Sequence, residues 1–111
     1  MMQLTPDTMT KDERSMLLYA ETCMVDYSGL LEGQRMNSAD MDALKKFKTA
    51  GLLDYGRIPA ALLDRSYGKT HWVTFNESAW TLAHQLRRVR ARQIGTIRQA
   101  VDAALAERTA A

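Results

Sequence analysis

The sequence predicts an α+β fold, mainly helical, in which a β-hairpin runs into a long C-terminal helix, and three stretches carry that prediction. Thr10 to Tyr27 has a helix-start signal followed by one apolar stripe. Asn37 to Ile58 reads as a capped helix, a glycine stop and a strand. Thr70 to Arg92, THWVTFNESAWTLAHQLRRVRAR, opens on period-2 alternation, with His71, Val73 and Phe75 on one side and Trp72, Thr74 and Asn76 on the other. From Ala79 the spacing changes to threes and fours through Leu82, Ala83, Leu86 and Val89. A strand thus delivers the chain into a helix whose other positions hold Arg87, Arg88, Arg90 and Arg92.

In chain order, residues 1–9 show no periodicity and read as a flexible arm with a Thr5-Pro6 turn, leaving residues 10–111 as one domain. Thr10 and Glu13 form a capping box for the first helix, whose stripe is Met16, Leu17, Ala20, Cys23, Met24 and Tyr27, stopped by Ser28-Gly29. Leu30 to Met36 fits either a short strand or an extended loop. Asn37 or Ser38 caps the second helix, with Asp40 in its first turn and Met41, Leu44 and Phe47 on its buried face. Gly51 ends it, and Leu52 can complete a Schellman contact.

Leu52 to Ile58 reads as a strand, Pro59 breaks it, and Ala60 to Leu63 fits a single helical turn before the polar tip Asp64 to Lys69. Thr70 to Phe75 then returns antiparallel. Asn76 caps the last helix, expected over residues 76–107; at roughly 30 residues it would be about 45 Å long, longer than a small domain is wide. Gly95, costing about 1 kcal/mol relative to alanine, could be a kink within it. Ile94, Ile97, Val101 and Leu105 continue an apolar stripe past the arginines, so the tail either packs back on the first helix or pairs with its copy in a second chain, and a homodimer through this face is expected.

Composition narrows the function classes. A chain of 111 residues suits one core. No apolar run approaches the roughly 18 residues needed to span a bilayer, and no signal peptide is evident, so a cytoplasmic location without membrane contact is expected. Cys23 is the single cysteine, which leaves no internal disulfide or cysteine-rich metal site. Residues 1–55 hold six Lys or Arg against nine Asp or Glu, a balance of −3, whereas residues 56–111 hold nine against four, a balance of +5. Such a split is the electrostatic footprint of a nucleic-acid or acidic-protein partner, and equally of a solvated helical face.

The motifs point away from catalysis. Neither His71 nor His84 has ligands or triad partners at useful spacing, and no Walker loop, G-x-S-x-G or H-E-x-x-H occurs, so no enzyme, metal or cofactor is expected. Trp72 and Trp80 could offer aromatic faces to a partner, but anchoring the hairpin on the last helix is the simpler use for Trp80. The residues expected to contact nucleic-acid phosphates are Lys45, Lys46 and Lys48 on the second helix, Arg57, Arg65 and Lys69 on the hairpin, and Arg87, Arg88, Arg90 and Arg92.

The order helix, short strand, helix, glycine, strand, basic tip, strand, helix resembles a winged-helix domain. NSADMDALKKFKTAGLLDYGRI, Asn37 to Ile58, resembles its recognition helix and first wing strand, and Thr70 to Leu82 resembles the second wing strand entering the C-terminal helix of MarR-like regulators. GRIP followed by HWV and a W-x-x-A-H helix rich in arginine also resembles small uncharacterised bacteriophage proteins. The first resemblance implies a dimeric protein that binds double-stranded DNA, a transcription regulator. Two departures favour an alternative. Between Ser28 and Asn37 there is no room for the positioning helix of a helix-turn-helix, and the recognition-like helix opens with Asp40 and Asp42, which phosphates repel. That alternative is a phage accessory protein that inhibits a host protein, such as an antiviral nuclease complex of the CRISPR type.

Overall fold

The computed structural model describes residues 4–93 and 95–110. Helix α1, Lys11–Asp26, starts at the reciprocal cap the sequence encodes: the Glu13 N–H donates to the Thr10 hydroxyl at 3.2 Å and the Thr10 N–H to the Glu13 carboxylate at 2.7 Å. Helix α2, Ser38–Thr49, opens with the same device built from Asn37 and Asp40, each bond 2.9 Å, so Asn37 rather than Ser38 is the cap. It ends in a Schellman turn. Gly51 takes φ +75°, its N–H reaches the Lys48 carbonyl, and the Leu52 N–H reaches the Phe47 carbonyl.

Three strands make one antiparallel sheet in the order β1-β3-β2. The undecided segment after α1 forms β1, Leu30–Leu31, followed by a 3-10 turn over Gly33–Arg35. β2, Leu53–Arg57, pairs along its whole length with β3, His71–Phe75, from Leu53 opposite Phe75 to Arg57 opposite His71. Leu30 and Leu31 face Trp72 and His71 on the other side of β3. The hairpin between β2 and β3 carries a 3-10 turn, Ala60–Arg65, longer than the single turn expected. Helix α3, Glu77–Ala91, starts at Asn76, whose side-chain oxygen accepts from the Ala79 N–H while its amide donates to the Gly51 carbonyl. One residue thus caps α3 and ties it to the end of α2.

α1 lies at the centre, packed against α2, α3, β1 and β3. Met16, Leu17, Ala20 and Cys23 of α1, Leu44 and Phe47 of α2, Val73 and Phe75 of β3, and Leu82, Ala83 and Leu86 of α3 are buried together. Period-3.6 and period-2 patterns put these side chains on inward faces, which is why the three α-helices and the hairpin were legible from spacing. Trp80 packs edge-on against Phe75 with ring centres 5.2 Å apart, fastening the hairpin to α3. Tyr27 and Val89, expected in the stripes, are half exposed, whereas Leu18 and Met9 are buried. Met9 thereby pins the end of the N-terminal arm, and its carbonyl accepts a bond from Arg14.

The expected helix over residues 76–107 is two helices. α3 stops at Ala91 and α4 runs Thr96–Ala110. In its last turn the Arg92 N–H is shared between the Arg88 and Val89 carbonyls and the Gln93 N–H turns to Arg90, so the helix tightens as it ends. Arg88 and Arg92 are like charges four residues apart, and Gly95 lies just ahead; both disfavour continuing the helix. α4 then restarts with the Gln99 N–H on the Gly95 carbonyl. Its described side chains are exposed, with Ile97 at 80%, Val101 at 43% and Leu105 at 48%. Ile94, also expected on that apolar face, lies outside the described residues.

Candidate nucleic-acid interface

The element order is the one expected of a winged-helix domain, with α2 in the place of its recognition helix and the β2–β3 hairpin in that of its wing. α2 buries Ala43, Leu44 and Phe47, so helical spacing turns Ser38, Asp42, Lys45 and Thr49 outward as one face. Lys45 has no ion-pair partner among the described residues. Lys46 and Lys48 do: Lys46 lies 2.7 Å from Glu13 of α1, and Lys48 lies 3.0 Å from Asp54 at the start of β2. These two lysines, expected at phosphates, brace α2 at its C-terminal end.

On the wing, Arg57 and Arg65 are exposed and without an ion-pair partner among the described residues. Lys69 was expected beside them at the polar tip. Instead it is 8% exposed, with its ammonium 2.9 Å from Glu32 Oε1 and 3.9 Å from the centre of the Tyr27 ring. The Glu32 bond holds the Lys69 pKa above its ordinary value against the opposing effect of burial, and the same bond lowers the Glu32 carboxyl. Lys69 therefore faces inward, where phosphate cannot reach it. The tip keeps an apolar side, with Leu62 and Leu63 about half exposed and Tyr67 97% exposed.

The arginine cluster of α3 divides. Arg87 turns toward α1, with Nε 2.6 Å from Glu21 Oε1 and Nη2 donating to the Leu18 carbonyl and the Thr22 hydroxyl. Arg88, Arg90 and Arg92 are exposed, with no ion-pair partner among the described residues. Arg90 lines a groove of about 370 Å³ with Lys11 and Arg14 from the start of α1. Sequence reasoning missed Lys11 and Arg14 because acidic residues dominate the charge of the first half. This basic end lies near residues 11–18 of α1, whereas the wing base touches Tyr27, about 20 Å further along that helix. The structure does not bring Arg88, Arg90 and Arg92 together with Arg57 and Arg65.

His71 sits at the wing base, its Nδ1 2.8 Å from the Thr70 hydroxyl, and burial followed by repulsion from Arg57 lowers its pKa. Cys23 is buried in the core, and burial raises its thiol pKa. His84 is exposed on α3. Among the described residues no cluster of His, Cys, Asp and Glu could hold a metal ion, and no helix is long and apolar enough to cross a membrane.

Between β1 and α2 the three-residue 3-10 turn stands where a helix-turn-helix has its positioning helix. The resulting site is a short basic wing and, in α2, one lysine, Lys45, outside any ion pair among the described residues. Neither protein-family models nor curated proteins match the sequence. Among solved structures, the fold is similar to the PcaV transcriptional regulator from Streptomyces coelicolor in complex with its natural ligand. That likeness has 19% identity and a TM-score of 0.49, and covers 92% of this chain and 74% of that one.

Proposed function

We propose that this protein binds double-stranded DNA through the wing and the outward face of α2, as a small transcription regulator that works as a homodimer. The observation that carries the reading is the wing itself: a hairpin whose β3 strand is paired on both edges, with Arg57 and Arg65 exposed and outside any ion pair among the described residues. Arginines on a rigid edge are placed to meet phosphates, and such contacts supply affinity without reading sequence. α4 is assigned to the dimer contact, since an apolar stripe of Ile97, Val101 and Leu105 needs cover. Its other residue, Ile94, belongs to the same stripe in sequence.

The test is fluorescence anisotropy with random-sequence duplex DNA across a salt series, with solution mass measured in parallel. Steeply salt-dependent binding from a dimer supports the reading, and no binding at low salt refutes it.

Three observations favour a protein partner instead. The outward face of α2 carries Asp42, a three-residue 3-10 turn takes the place of a positioning helix, and the wing tip exposes Leu62, Leu63 and Tyr67. A helix face that presents an aspartate, together with an apolar tip, suits a protein surface better than a groove lined by phosphates. In that reading the chain is a phage-encoded inhibitor of a host protein, for example an antiviral nuclease complex. A host protein that co-purifies after nuclease treatment, together with absent DNA binding, would select it.

A further inference from the structure

The loop from Pro59 to Gly68 leaves the sheet after the Ile58 N–H bonds the Thr70 carbonyl, and its described polar anchor to the body of the molecule is the residue that follows it, Lys69. Lys69 joins three elements. Its own backbone enters β3, its ammonium bonds Glu32 just beyond β1, and the same ammonium rests on the Tyr27 ring at the end of α1. A buried ammonium keeps its charge only with such partners, so its position is tightly specified.

That position is passed outward along the loop. The Ser66 hydroxyl lies 2.6 Å from the Lys69 carbonyl and 2.7 Å from the Leu63 carbonyl, and Ser66 itself is buried. Tyr67 and Gly68 between them take positive φ values of 53° and 86°, a tight reversal that swings the chain into Lys69. Arg65 lies inside this bonded arch, between Leu63 and Ser66. Its exposed side chain springs from a backbone fixed by Lys69 rather than from a loose tip.

We propose that Lys69 is the positioning residue of the wing: held by Glu32 and Tyr27, it orients the tip so that Arg65 meets a phosphate, and makes no contact with nucleic acid itself. This rests on the DNA-binding reading above.

The experiment is a double-mutant cycle of K69M and R65A, read by duplex anisotropy across salt, with amide hydrogen exchange of each variant. R65A is expected to reduce the slope of log K against log salt by about one. K69M is expected to weaken binding about tenfold with the slope changed by less, to speed exchange in residues 59–69 while α1 and α3 stay protected, and to have little further effect in the R65A background. E32Q, which removes the partner on the more exposed side, should reproduce K69M if K69M fails to fold.

A K69M effect that adds fully to R65A would overturn the proposal, since Lys69 would then act without Arg65. Unchanged loop exchange in both K69M and E32Q would also overturn it. Wild-type protein that binds no duplex would remove the DNA reading and the phosphate role with it. Faster loop exchange in K69M would still show, separately, that Lys69 orders the tip.

Discussion

Arg87 belongs by sequence to a run of arginines, but it points inward as a brace between α3 and α1. Replacing it with methionine, which keeps the stem and removes the bonds, should cost about 1 to 2 kcal/mol of stability by urea denaturation and leave the salt slope of DNA binding unchanged. Glu13 makes a second brace. Burial opposes its ionisation, yet the bonds from Lys46 and the Thr10 N–H prevail and hold its pKa below the ordinary value. The unfolded chain then binds that proton more tightly, so this contribution is complete above the ordinary glutamate range and lost as pH falls below about 4. Glu13→Gln should flatten the acid limb of the urea midpoint. The limb should not vanish, because Glu32 and Asp54 are lowered too, each by its bonded lysine.

The elements were readable to the extent that their causes were local. Capping boxes, glycine stops and the switch from alternation to helical spacing lie within a few residues of what they specify, and they place α1, α2, β3 and α3. Gly51 and Gly29 both take positive φ, but they differ in surroundings. A methyl at Gly51 meets open space, so Gly51→Ala should cost about 1 kcal/mol. A methyl at Gly29 would sit 2.5 Å from the Val73 carbonyl oxygen, so Gly29→Ala should cost about 2 kcal/mol more, with both read from urea midpoints. What spacing could not show were partners distant in sequence. Nothing near Lys69 announces Glu32, 37 residues away, or marks Arg87 as facing Glu21. Counting charges therefore placed ten cations at one interface, while the fold spends Lys46, Lys48, Lys69 and Arg87 on its own ion pairs. The break before α4 was half legible, since Gly95 marks it, but the repulsion between Arg88 and Arg92 acts only once a helix brings them together.

At the scale of the whole molecule, the core among the described residues ends at Leu86, and α4 adds no buried side chain to it. A chain truncated after Gln93 should keep its urea midpoint and lose self-association, and Ile97→Glu with Val101→Glu should give the same monomer in the full-length chain. Among the described residues, Arg57 and Arg65 of the wing lie about the length of α1 from the end of α3, where Arg90 meets Lys11 and Arg14. The decisive measurement is the salt slope of duplex binding for R57A/R65A against R88A/R90A/R92A. A wing that meets DNA predicts a slope lowered by roughly two per protomer for the first variant and unchanged for the second; a slope lowered only by the α3 substitutions would contradict it.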